Sequence, residues 1–84
     1  MSAQPRPELL QSLAASLAPQ MHTLRPHAVA RTVWAFATLG HLPDDALLDA
    51  AALEVQRRLP EFPPRALARL VWAFATLGYL LATP

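Results

Sequence analysis

The chain has 84 residues, of which 54% are hydrophobic and 15% are charged, and it carries a net charge of +1 and no cysteine. This length allows one small domain, and the apolar content excludes a solvated disordered tail. The lack of cysteine excludes disulfides, thiolate metal sites and a cysteine nucleophile. No apolar stretch reaches the roughly 20 residues that a transmembrane helix needs. Abundant Ala and Leu, with few β-branched residues, predict an all-α fold.

Prolines and glycines divide the chain into four predicted helices. Pro7 opens the first helix. Pro26 opens the second, which ends at Gly40, a residue that readily adopts the left-handed conformation of a helix C-cap. The third helix is predicted over residues 44–58, because the aspartates at its start and the arginines at its end both complement the helix dipole. The fourth is predicted over residues 65–78 and again ends at a glycine.

The third helix differs from the second and fourth in its apolar pattern. On a helical wheel it has one apolar side, formed by Leu48, Ala51, Ala52, Val55 and Leu59. In the second and fourth helices, apolar residues cover most of the circumference and leave a narrow polar strip. Such helices must be contacted on several sides, as they are in stacked helical units.

An internal repeat is the strongest signal in the sequence. Residues 24–43 and 62–81, offset by 38 residues, are identical at 13 of 20 positions and read LRPHAVARTVWAFATLGHLP and FPPRALARLVWAFATLGYLL. Upstream of these segments only the apolar pattern is kept. Periods of roughly 20 to 50 residues are typical of stacked arrays. We therefore predict two tandem helix-turn-helix repeats, at residues 6–43 and 44–81, that form a short α-solenoid fragment.

Arginines recur in the polar strips of the second and fourth helices. These strips contain His27, Arg31, Thr38, Arg65, Arg69 and Thr76. Arg31 and Arg69 are equivalent, and a stacked array would place them in a ladder that contacts successive phosphates of a single nucleic-acid strand. Alternatively, each arginine caps a carbonyl group or pairs with an acid such as Asp49 or Glu54 on a neighbouring helix. Both interpretations stay open, and the candidate binding residues are Arg31, Arg65 and Arg69.

Two aromatic pairs accompany the arginines. Trp34 and Phe36 in the second helix are equivalent to Trp72 and Phe74 in the fourth. An exposed indole at this place would stack on a base for about 1 to 3 kcal/mol. The surrounding Ala, Val and Phe instead favour side chains that fill the space between helices. We therefore expect all four residues in the structural core.

No catalytic or metal-binding motif is readable. His22, His27 and His41 lack the i, i+4 spacing that places two imidazoles on one helical face. No Ser, His and acid arrangement is present, and both glycines end helices, so that neither is left to cradle a phosphate. The sequence predicts a protein that is not an enzyme and that holds no metal or cofactor.

The strings RTVWAFATLGHLP and RLVWAFATLGYLL resemble the repeat of the octotricopeptide family, whose units often contain a stretch similar to NTLWAFATLG. The resemblance covers nearly the whole chain and extends to FAST-kinase-like and RAP-domain proteins. It implies a right-handed α-solenoid that binds single-stranded RNA in a mitochondrion or chloroplast and controls its processing, stability or translation. Arg31 and Arg69 depart from the pattern, since Asn is common there, and no RAP domain or clear transit peptide is present. Arrays usually have three or more units, so we expect a fragment of a longer array.

Two functions from different classes follow from the sequence. An RNA-binding module acting through its arginines would lose affinity steeply as salt rises. A protein-interaction module would bind another helical-repeat protein, or a second copy of itself, through apolar end units and with little salt sensitivity. Neither function involves a membrane.

Overall fold

The computed structural model describes residues 6–43 and 45–78. This part of the chain contains four α-helices and no strand, so the predicted all-α fold is confirmed. The helices are α1 (Pro7–Leu17), α2 (Pro26–Leu39), α3 (Asp45–Arg57) and α4 (Pro64–Leu77). None of these helices is long and apolar enough to cross a membrane. Asp44 and residues 79–81, which belong to the predicted second unit, lie outside the described residues.

The ends of α2 and α4 follow from their prolines and glycines. Pro26 and Pro64 occupy the first helical position, where a fixed φ suits the helix and the missing N–H is not needed. Gly40 has a φ of 71° and Gly78 a φ of 76°, in the left-handed region that costs glycine least. The N–H of each glycine donates to the carbonyl three residues earlier, at 3.1 and 3.0 Å. Both helices therefore stop where the sequence predicts.

Two short 3₁₀ helices that the sequence analysis did not predict follow α1 and α3. They span Ala18–Thr23 and Leu59–Glu61. The second one corrects the expected apolar side of the third helix, because Leu59 is exposed and lies outside α3. The physical reason is Pro60, which cannot donate the backbone hydrogen bond that would continue the α-helix.

Packing joins the two predicted units. The most extensive helix contact is between α2 and α4, and the first 3₁₀ helix packs against α3. One cluster of buried apolar side chains connects the four helices: Leu10, Ala14, Met21, Val29, Ala30, Val33, Phe36, Ala37, Leu47, Leu48, Ala51, Phe62, Ala66, Leu70, Ala73 and Phe74. The fold thus depends on contacts between the units, while their division at residue 44 stays a prediction.

A buried carboxylate lies in the last turn of α3 and pairs with two arginines. Glu54 is 3% exposed, and Nη1 of Arg57 donates to its two carboxylate oxygens at 2.9 and 3.1 Å. Nε of Arg58 lies 3.0 Å from Oε1 in an ionic contact without hydrogen-bond geometry. The Arg58 guanidinium also lies 6.0 Å from the centre of the Phe62 ring. Two cations therefore compensate for the removal of this carboxylate from water.

Candidate nucleic-acid interface

One exposed side of the α2–α4 pair carries the polar strips. Residues at i, i+4, i+7 and i+11 share one side of a helix, since a turn takes 3.6 residues. We call the side formed in this way the outer surface. It consists of His27, Arg31, Trp34 and Thr38 from α2 and Arg65, Arg69, Trp72 and Thr76 from α4. Arg69 is half-buried and the other seven side chains are exposed.

The first turns of α2 and α4 flank an open groove of about 520 Å³ on this side of the molecule. It is lined by His27, Ala30, Pro63, Pro64, Arg65, Ala66 and Arg69. Three of these side chains, from His27, Arg65 and Arg69, carry hydrogen-bond donors. Neither helix has a side-chain N-cap, so first-turn N–H groups and the positive ends of two helix dipoles also lie here. The groove is therefore suited to an anionic group.

Arg69 connects the two helices of the outer surface. Its Cζ lies 5.7 Å from the centre of the Trp34 ring, in the range of a cation–π contact. The contact holds a half-buried guanidinium of α4 beside an exposed indole of α2. A positive charge and an aromatic ring thus occupy adjacent positions. Proteins that bind single-stranded nucleic acids combine these two groups, one for the phosphates and one for the bases.

The other two candidate arginines have no protein partner in the described part of the chain. Arg31 and Arg65 are exposed and make no hydrogen bond or ion pair there. Arg31 does not line the groove but directly follows Ala30, which does. Glu54, one of the acids considered as a structural partner, is occupied by Arg57 and Arg58 of its own segment. Arg31 and Arg65 are therefore available for an external anion.

Positive charge is concentrated on the outer surface although the chain is almost neutral. Neither α2 nor α4 contains an acidic residue, whereas α3 contains Asp45, Asp49 and Glu54. The outer surface therefore bears the charges of its three arginines without a local acid from its own helices. The net charge of +1 does not show how the charges are distributed. The three arginines on one side of the molecule create a local positive field that attracts anions.

The tryptophans do not lie in the core, so the prediction for Trp34 and Trp72 was wrong. Their exposed fractions are 40% and 48%. The physical reason is their position three residues after an arginine of the polar strip, which turns both indoles towards the outer surface. That spacing was visible in the sequence. Phe36 and Phe74, two residues further on, point the other way and are buried, as predicted.

Comparison with known proteins identifies a family whose model matches most of the chain. The family model described as FAST kinase-like protein, subdomain 1, matches residues 29–83, which are 55 of the 84 residues. The match contains most of α2, all of α3 and α4, and both indoles of the outer surface. Neither the curated proteins nor the solved structures gave a match. Since the model covers well over half of the sequence, the chain belongs to the FAST kinase-like protein family, in its subdomain 1.

Proposed function

We propose that this chain binds single-stranded RNA through the outer surface, without catalysis, in a mitochondrion or chloroplast, where it acts in RNA processing, stability or translation. The observation that carries the proposal is the cation–π pair of Arg69 and Trp34 beside the groove, which joins charge to an exposed base-sized ring. Membership of the FAST kinase-like family is consistent with an organellar RNA role. We further assign the two units to the octotricopeptide type of repeat.

The side chains divide into two roles in this proposal. Arg65 and Arg69 bind phosphate oxygens at the groove, and Arg31 binds a further phosphate of the same strand. Trp34 and Trp72 stack on bases. A duplex does not suit this surface, because its bases are already stacked on one another and cannot lie on an indole. The two units present the same side chains at three of the four equivalent positions of the outer surface, so we expect weak preference for base sequence.

The test compares two double variants with equal charge changes. Arg31→Gln with Arg65→Gln removes charge from the outer surface, whereas Arg6→Gln with Arg25→Gln removes the same charge from exposed positions before α1 and α2. At about 1 kcal/mol for each of the two exposed ion pairs, the outer-surface variant should lose roughly 30-fold in affinity for a labelled single-stranded RNA, measured by fluorescence anisotropy. The control variant should bind nearly as the wild type does.

Circular dichroism of each variant establishes that helicity is kept. The proposal fails if the folded wild type binds no single-stranded RNA, or if the control variant loses as much affinity as the outer-surface variant. It also fails if duplex RNA of the same length binds more tightly, since that outcome would exclude stacking on the indoles.

A further inference from the structure

The contact between α2 and α4 is formed by one side of α2 and a different side of α4, although the two helices have nearly the same sequence. Each helix therefore also has, on another side, the equivalent of the surface that its partner uses in this contact. The buried residues on the two contacting sides are Ala30, Val33 and Ala37 of α2 and Ala66, Leu70 and Ala73 of α4. Each set has counterparts 38 residues away that are exposed or only half-buried.

On α4, the uncovered counterparts form an apolar patch. Val33 is 0% exposed, whereas its equivalent Val71 is 63% exposed. Met21 of the first 3₁₀ helix is 1% exposed, whereas its equivalent Leu59 is 50% exposed. Ala68 and Ala75, the equivalents of the buried Ala30 and Ala37, are likewise exposed. We call this patch the tail face, and it consists of Leu59, Ala68, Val71, Trp72 and Ala75.

The second surface lies on the side of α2 that is equivalent to the side by which α4 contacts α2. The equivalents of Ala66, Leu70 and Ala73 are Ala28, Thr32 and Ala35, which are half-buried or exposed. Together with leucines of α1 they border an apolar depression of about 260 Å³. We call this depression the head groove, and its lining includes Leu10, Leu13, Leu17, Thr32, Ala35 and Leu39.

Thr32 is the polar exception in the head groove, and its hydroxyl is already satisfied. Its Oγ1 donates to the carbonyl of Ala28 at 2.8 Å. Covering this residue would therefore leave no unpaired donor in an apolar contact. The head groove can thus be buried at no polar cost, as the equivalent side of α4 is buried by α2.

We propose that the tail face of one copy docks in the head groove of a second copy, by repeating the arrangement that sets α4 beside α2. Leu59 would enter the groove of the second copy as the first 3₁₀ helix, whose buried residue is Met21, packs on α3. Arg31 of the second copy would then stack on Trp72, as Arg69 stacks on Trp34 at 5.7 Å. A second copy fits the tail face because its α1–α2 pair is equivalent to α3–α4, which packs against this kind of face inside the chain, with Thr32 in the place of Leu70.

The geometry determines the type of assembly. The two docking surfaces are different and lie on different helices, so the contact is heterologous and each added copy leaves a new tail face free. Thr32 is less apolar than its equivalent Leu70, so at this position the contact between copies buries less apolar surface than the internal one does. Because the docking residues are apolar apart from the Arg31–Trp72 pair, association should depend little on salt, in contrast to RNA binding.

The decisive experiment is sedimentation of the full chain with two blocked variants. Val71→Glu blocks the tail face and Ala35→Glu blocks the head groove, and both positions are exposed in the single chain. The mass of the wild type should rise with concentration beyond that of a dimer, while each variant alone stays a monomer. Their equimolar mixture should give a dimer and nothing larger, since one intact head and one intact tail remain. Ser12→Glu, an exposed change on α1 outside the groove lining, should assemble as the wild type does.

A second measurement follows the predicted contact itself. Trp34→Phe leaves Trp72 as the single tryptophan, and its emission should change with concentration. Adding Arg31→Gln should remove part of that change. A wild type that stays monomeric at every concentration overturns the proposal, as does a mixture of the blocked variants that stays monomeric. Dimers of Ala35→Glu alone would show a symmetric contact between tail faces and would also overturn it.

Discussion

Equivalent valines in α2 and α4 provide a matched test of the packing. Val33 and Val71 occupy the same place in nearly identical helices, but the first is 0% and the second 63% exposed. We expect Val33→Ala to destabilise the fold and Val71→Ala to leave it almost unchanged. Helix propensity contributes equally at both positions, so the difference between the variants isolates the burial against α4.

The magnitude follows from the atoms removed. Val→Ala deletes two carbons, which at roughly 0.8 kcal/mol each gives about 1.6 kcal/mol, and incomplete closure of the cavity raises this to about 2 kcal/mol at Val33. For a chain of this size the melting temperature should fall by roughly 8 to 16 °C. Val71→Ala should stay within about 0.5 kcal/mol of the wild type.

The assay is thermal and urea unfolding followed by circular dichroism, at low concentration so that contact between copies does not cover Val71. The m-value of both variants should match that of the wild type, because neither change alters the surface exposed on unfolding by much. Equal losses of stability in Val33→Ala and Val71→Ala would refute the unequal burial of the two helices.

Three further changes test separate parts of the structure. Glu54→Gln should lower the free energy of unfolding by about 2 kcal/mol, because it leaves Arg58 without its anion, whereas the same change at exposed Glu61 should have little effect in urea titrations. Gly40→Ala should cost about 1 kcal/mol through its φ of 71°, because no atom lies within 4 Å of the added Cβ; a stability equal to wild type in thermal unfolding would exclude the left-handed cap. Trp72→Ala should weaken single-stranded RNA binding by about 1 to 3 kcal/mol in anisotropy titrations without changing helicity, and unchanged affinity would exclude base stacking there.

The helix ends were predictable because single residues determine them. Pro26 fixes φ at the first turn of α2, and Gly40 relieves the steric cost of the left-handed cap. These are local effects that need no knowledge of tertiary contacts. The 3₁₀ helices were not predicted, although the second one also has a local cause: Pro60 cannot donate the hydrogen bond that would continue α3, so Leu59 lies outside that helix.

Burial was less predictable than helix position. Trp34 and Trp72 are large apolar residues among apolar neighbours, yet their angular position on the helix places them on the outer surface. Glu54 is charged, yet it is buried because Arg57 and Arg58 follow at i+3 and i+4. In both cases the direction of the side chain outweighs the average hydrophobicity of the residue type.

Of the candidate site, the sequence located the arginines but not their arrangement. The 38-residue offset made Arg31 and Arg69 equivalent, and only the packing of α4 on α2 shows that Arg69 reaches Trp34 of the preceding unit. The groove between the two first turns likewise depends on this packing. Contacts between units are long-range in sequence and cannot be read from the repeat of a single unit.

The salt dependence of RNA binding tests the proposed function most directly. If the outer surface neutralises three phosphates with Arg31, Arg65 and Arg69, the logarithm of the association constant should fall with the logarithm of salt concentration with a slope of about −2. The variant with Arg31→Gln and Arg65→Gln should retain a slope of about −0.7. A slope near zero for the wild type, or one that the double variant leaves unchanged, would contradict RNA binding through this surface.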